Sequence, residues 1–203
     1  MSRLVAIDGG TAFHGRALRE APFETFFDGL IPVRSLGQVG LSEHDCVLVP
    51  CRTNGQRLAK HRAQLEAYIE GGGYLVVMGE TRPDLFLSGV RFRSIPTNYW
   101  WWLDPKGGLD LSIEVPGHPL FRRLGLKDLT WHVHGTPDIV GPCDVLMKYL
   151  DPAAGGSIML EARRGRGRLF MTTLDPIFHH GSGFMPATTR FLEAFLPWLR
   201  ASI

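Results

Sequence analysis

Residues 45–80 read DCVLVPCRTNGQRLAKHRAQLEAYIEGGGYLVVMGE, and this stretch decides the fold. Asp45 to Pro50 is an apolar run stopped by proline, and Tyr74 to Met78 is a second, unbroken one. Between them Leu58, His61, Leu65, Tyr68 and Ile69 recur at three- and four-residue steps, with Lys60, Arg62, Gln64 and Glu66 interleaved. That spacing predicts one helix with a single apolar face. Asn54 offers an N-cap, and Gly71-Gly72-Gly73 ends the helix. Strand, helix, glycine turn and strand make a βαβ unit, whose crossover is right-handed. Short runs that are apolar on both faces suit a parallel sheet covered by helices on each side.

The flanks extend this pattern. Arg3 to Ile7 is a short buried strand that ends in Asp8-Gly9-Gly10. Phe23, Phe26, Phe27 and Leu30 have helical spacing, and Pro32 to Leu36 is a candidate second strand. Gly79 to Gly117 holds Pro83, Pro96, Pro105 and Pro116 and is expected to be loop, with one short strand near Leu111 to Val115. Val145 to Leu150 and Ser157 to Ala162 read as strands joined by a turn, and Leu169 to Leu174 as another. Ala187 to Leu199 closes the chain as a helix with Phe191, Phe195 and Leu199 on one face. The expected architecture is α/β: a flavodoxin-like three-layer sandwich around a mainly parallel sheet, with residues 1–203 as one domain.

Composition narrows the function classes. The chain has 203 residues, enough to bury a large core without disulfides. Its net charge is +2, with both signs interspersed, so it carries no electrostatic footprint for nucleic acid or an anionic membrane. The cluster Arg163, Arg164, Arg166 and Arg168 is interleaved with glycine and reads as a turn before a strand. The three cysteines, Cys46, Cys51 and Cys143, form no CxxC pair, which fits a reducing compartment. MSRLVAIDGG reads as a strand rather than a signal peptide, so a cytoplasmic protein is expected.

Several segments resemble class I glutamine amidotransferase-like domains. The βαβ unit of residues 45–79 is one. The later chain resembles the trehalose-utilisation (ThuA-like) branch, through His118-Pro119-Leu120-Phe121, Gly165-Arg166-Gly167-Arg168-Leu169-Phe170, Thr172-Thr173-Leu174-Asp175 and a final helix beside Trp198. The resemblance implies a site at the carboxyl ends of the strands. It also implies a nucleophilic cysteine on the turn after YLVVM, but that turn reads Gly79-Glu80-Thr81 here. Asp175-Pro176 likewise replaces the Gly-His of the later strand exit. A chain with no thiol at the elbow lacks what acyl transfer requires, so glutaminase chemistry is not expected.

Candidate site residues follow from these strand exits. Glu80 and His180 are the candidate catalytic base and acid, with Glu80 expected near a helix N-terminus. Asp8 and Thr11 follow the first strand, with His14 just beyond them. His132 and His134 point to one face if their segment is extended. Asp175 and His179 follow the strand Leu169 to Leu174, and adjacent His179 and His180 point in different directions. Two imidazoles with a third from His179 or His180 and a carboxylate could hold a divalent metal. The spacing matches no metal signature, however, so neither metal nor cofactor is expected. Trp101 belongs to the run Trp100-Trp101-Trp102, which one face cannot bury and which suits a sugar ring or a second copy of the chain. The expected partner is a small polar molecule, a carbohydrate among the candidates. The alternatives are a hydrolase or isomerase, and a homo-oligomerisation module.

Overall fold

In each central strand of the computed structural model, alternate side chains enter different cores. Leu4, Ala6, Leu48, Val76, Met78 and Phe170 join one buried cluster, and Val5, Ile7, Val47, Val49, Leu75 and Met171 join another. Period-two alternation with both faces apolar defines a sheet sandwiched between layers. The structure describes residues 2–97, 99–103 and 109–203, with the Trp102 side chain also outside the described set.

The strands are β1 (Leu4–Asp8), β2 (Gly29–Pro32), β3 (Cys46–Val49), β4 (Tyr74–Met78), β5 (Val90–Ser94), β6 (Leu111–Ile113), β7 (Gly135–Ile139), β8 (Asp144–Tyr149), β9 (Gly156–Arg164) and β10 (Gly167–Thr172). The main sheet runs β2-β1-β3-β4-β10-β9-β8-β6. Its first five strands are mutually parallel, and β9, β8 and β6 continue it antiparallel. Helices α1 (Ala12–Arg19) and α5 (Pro186–Ala201) cover one face through Ala17, Leu18, Phe191, Phe195 and Leu199. Helices α2 (Gly55–Ala59) and α3 (Arg62–Glu70) cover the other through Leu58, Leu65, Tyr68 and Ile69. The short α4 (Pro176–Gly181) follows β10. This is the flavodoxin-like sandwich, with an antiparallel extension on one side. No helix among the described residues is long and apolar enough to cross a membrane.

Four local expectations are corrected. The helix over Leu58 to Ile69 is two helices: Lys60 and His61 donate to the Arg57 and Leu58 carbonyls three residues back, which interrupts the ladder. The apolar face survives the break, so periodicity cannot register it. The Phe23 to Leu30 segment is only a 3-10 turn over Glu24–Phe26, because Pro22 and Gly29 leave too few residues to propagate a helix. The second strand is Gly29–Pro32, and Val33–Gln38 is 3-10 helix. The middle segment also contributes β5, which pairs with β7 in a small separate sheet. Pro137 inside β7 is tolerated because, among the described residues, that sheet has two strands, so both are edges.

His14 ties the carboxyl end of β1 to that of β3. Its Nδ1 accepts from Gly9 N–H at 2.9 Å, which leaves Nε2–H to donate to the Cys51 carbonyl at 2.9 Å. Burial depresses the imidazole pKa below its ordinary 6.5, outweighing the Cys51 carbonyl and Asp8, which favour the charged form. A depressed histidine contributes stability that is present above that value. The contribution is lost as pH falls, because the unfolded chain takes up the proton first. His14→Gln is therefore expected to cost about 1–2 kcal/mol at neutral pH. The gap to the parent should narrow between pH 6.5 and 5 in thermal unfolding. A gap that does not change with pH would show that His14 is not held neutral.

Candidate functional site

Three strand exits converge because Gly79 lets them. Gly79 follows β4 with φ +66°, and its N–H donates to the Thr172 carbonyl at 2.7 Å. A Cβ built there would lie 2.3 Å from Cys51 Cβ and 3.2 Å from Asp175 Cβ. Only glycine allows this approach and this backbone angle. It places the residue after Cys51, the residue after Gly79, and Asp175 side by side.

That first residue is Arg52, which sequence reasoning passed over. It adopts the left-handed conformation, φ +62°, without being glycine, asparagine or aspartate. Such backbone is costly and persists only where surrounding structure imposes it. Its guanidinium lies over the Phe178 ring at 3.5 Å. Arg52 Nε is 3.1 Å from Glu80 Oε1 in a charge contact rather than an aligned hydrogen bond, and Nη2 is 3.8 Å from Asp175 Oδ2. Glu80 and Arg52 are each about a third exposed, so this pair faces outward. The turn carrying Glu80 leads to a 3-10 turn over Pro83–Leu85 rather than an α-helix, and Glu80 gains no helix N-terminus.

Beneath the pair lies a buried cluster. Asp175 sits at the N-cap position of α4 but makes no cap bond, because its carboxylate turns inward. Oδ1 accepts from Trp131 Nε1 at 3.0 Å, and Oδ2 is 3.2 Å from His134 Nε2. His179, one helical turn later, brings Nε2 within 3.3 Å of Oδ1, and His132 Nε2 lies 3.8 Å from the same oxygen. His132 and His134 turn to the same side, ring centroids 4.7 Å apart, while Val133 between them enters the core. His134 Nδ1 is 2.7 Å from Glu80 Oε2 and 3.2 Å from Thr97 Oγ1. Burial disfavours the charged imidazole, but hydrogen bonds to Asp175 and Glu80 and their charges overcome it, so the His134 pKa is pushed up to about 9. Burial also works against the Asp175 charge, yet the three histidines hold that carboxyl well below the usual range.

The structure thus brings together Glu80, His132, His134, Asp175 and His179. The other candidates lie elsewhere. Asp8 accepts from Gly10 N–H and pairs with Arg19 at 2.6 Å, beside a cavity of about 310 Å³ that Arg34 and Arg57 also line. Thr11 caps α1. His180 turns away from its neighbour, bonding Thr189 Oγ1 at 2.9 Å and packing on Phe23. Trp101 is partly buried against the core in a one-turn 3-10 helix, while Trp100 is 66% exposed. Tyr99, half exposed, packs its ring 5.1 Å from His132. The larger cavity of about 410 Å³, lined by His44, Tyr68, Gly72 and Arg168, opens at the amino ends of the strands, remote from the cluster. Chemistry, not cavity size, marks the site.

Comparison with solved structures supports the flavodoxin-like α/β sandwich. A cytoplasmic protein from Salmonella typhimurium superposes with a TM-score of 0.60 at 11% identity, over 97% of this chain and 98% of that one. A GMP synthase-like protein from Thermoplasma acidophilum gives 0.60 at 13% identity, over 100% and 95% of the two chains. A ThuA-like protein from Bacteroides uniformis gives 0.55 at 15% identity, over 96% and 89%. No protein-family model and no curated relative matches the chain. At these identities the shared property is the fold.

Proposed function

We propose that the chain binds a small polar, hydroxyl-rich ligand at Arg52 and Glu80, without acyl-transfer chemistry. The observation that carries this reading is the strained Arg52 backbone, which delivers a guanidinium onto Glu80 at the rim of a buried charged cluster. A guanidinium fork and a carboxylate side by side offer donors and acceptors to vicinal hydroxyls. Tyr99, half exposed and packed on His132 and on His134, which Glu80 contacts, supplies an aromatic face of the kind sugars stack on. Acyl transfer has no nucleophile here. Cys51, the thiol nearest the turn, is fully buried, its Sγ accepts from Phe178 N–H at 3.1 Å, and burial pushes its pKa well above the ordinary value.

A second reading is favoured by the 2.7 Å contact between Glu80 and His134. A carboxylate at the rim backed by a buried imidazole is the arrangement of a general acid/base pair. It suits hydrolysis or isomerisation of the same ligand class. Thermal-shift screening of sugars, polyols and sugar acids, followed by titration calorimetry, tests the binding reading. At least one such compound should bind the parent protein and bind Arg52→Ala at least tenfold more weakly. If no compound of this class binds, or if Arg52→Ala binds equally well, the reading fails.

A further inference from the structure

Beneath Glu80 the Nε2 atoms of three imidazoles crowd around one buried carboxylate. A carboxylate only accepts, so His134, held between two of them, donates Nδ1–H to Glu80 and Nε2–H to Asp175 Oδ2, 3.2 Å away. His132 Nε2 and His179 Nε2 face each other at 3.0 Å, and both also face Asp175 Oδ1. Two bare nitrogens at that distance repel, two N–H groups repel, and one hydrogen shared between them leaves an Nδ1–H on one ring and a bare Nδ1 on the other. Their Nδ1 atoms are buried and have no hydrogen-bond partner among the described residues. Whatever offsets the burial of these two rings must therefore act at Nε2, where all three imidazoles and the carboxylate converge.

We propose that His132, His134 and Asp175 hold one divalent transition-metal ion of the zinc type, with His179 Nε2 in reach of the fourth position. One ligand atom from each of the three residues lies within 4.8 Å of the others. Bonds of about 2.0–2.1 Å arranged tetrahedrally separate neighbouring ligand atoms by roughly 3.3 Å. His134 Nε2 is 3.2 Å from Asp175 Oδ2, His132 and His179 Nε2 are 3.8 and 3.3 Å from Oδ1 and 3.0 Å from each other, and the three-ligand set spans at most 4.8 Å, so a bound ion would draw these groups in by side-chain rotation. A set of imidazoles with one carboxylate suits zinc, cobalt or nickel rather than magnesium or calcium, which prefer oxygen alone. The ion takes the place of the hydrogen that His134 Nε2 otherwise shares with Asp175. Glu80 then orients His134 by accepting its Nδ1–H, the usual partner of a metal-bound histidine. Trp131 does the same for Asp175 by donating to Oδ1. Rings of Tyr99, Phe178 and Phe184 pack against His132 and His179 and limit access of water. The pattern is invisible as a motif because its parts come from the segment before β7 and from the exit of β10.

The test uses full-length protein stripped with a chelator and titrated with Zn(II), and with Co(II) for its visible spectrum, without any organic ligand. The parent should take up one equivalent per chain, and Co(II) should show the intense d–d bands of a four- or five-coordinate site. Asp175→Asn, close in size and shape to the parent side chain, and His132→Ala should each weaken uptake at least tenfold. Glu80→Gln should weaken it roughly 10- to 100-fold. His44→Ala, at the amino ends of the strands, should bind like the parent. Less than one equivalent on the parent, or equal uptake by Asp175→Asn and His44→Ala, overturns the proposal. Should the variants not fold, the parent stoichiometry and Co(II) spectrum decide alone. Failure here leaves the Arg52–Glu80 ligand reading standing, because no organic ligand enters the experiment.

Discussion

Asp175→Ala is expected to cost about 3–5 kcal/mol of folding stability in metal-free protein. For a chain of this length that lowers the unfolding midpoint by on the order of 10 °C. The carboxylate is fully buried, yet it meets Trp131, His132, His134, His179 and the Arg52 guanidinium. Removing it leaves the Trp131 N–H and the cluster's positive charge without a partner in a place water does not reach. Breaking one side of a buried pair costs more than the pair itself contributes, because the other side stays desolvated. Truncation also leaves a small void, which adds to the loss. Chemical denaturation in the presence of chelator measures the effect. A cost below about 1 kcal/mol, the ordinary scale of an exposed ion pair, would mean that Asp175 is not the anchor of the cluster.

The sheet could be read from sequence because its strands are buried on both faces. Runs such as LVAID, CVLV and YLVVM have no polar face to confuse the pattern, and glycine or proline bounds them. The small sheet was harder. Val90–Ser94 alternates apolar and charged residues, but it lies among prolines, and its partner carries Pro137 and owes its edge position to the tertiary fold.

The site divides in a similar way. Glu80 and Asp175 follow strands directly, so their edge of the sheet is a matter of counting along β4 and β10. His132 and His134 show their shared side by the spacing of two. Arg52 gave no signal, because its importance lies in a left-handed backbone angle that sequence does not display in a non-glycine residue. Gly79 carried the signal for the convergence, as a glycine immediately after a buried central strand. His180 and His179 could not be told apart until the helix α4 fixed which of two adjacent side chains turns inward.

Glu80→Gln is expected to weaken binding of the polar ligand by tenfold or more while moving folding stability by less than about 1 kcal/mol. The two halves of this expectation have different causes. Glu80 and Arg52 each keep about a third of the side chain exposed and their contact is not an aligned hydrogen bond, so the ion pair itself adds little to stability. Glutamine keeps the size of the side chain, and its carbonyl oxygen can still accept from His134 Nδ1–H. The ligand meets a different surface. The charge that attracts hydroxyl donors is gone, and an amide N–H group faces outward beside a guanidinium, so donors crowd where an acceptor was needed. Hydrogen bonds to charged groups contribute roughly 1.5–3 kcal/mol, which corresponds to a loss of about tenfold to a hundredfold in affinity. The measurement is calorimetric titration of parent and variant with a ligand found by thermal shift, in chelator so that metal uptake does not enter. Equal dissociation constants would reduce Glu80 to a support for His134 and move the binding role to Arg52 alone.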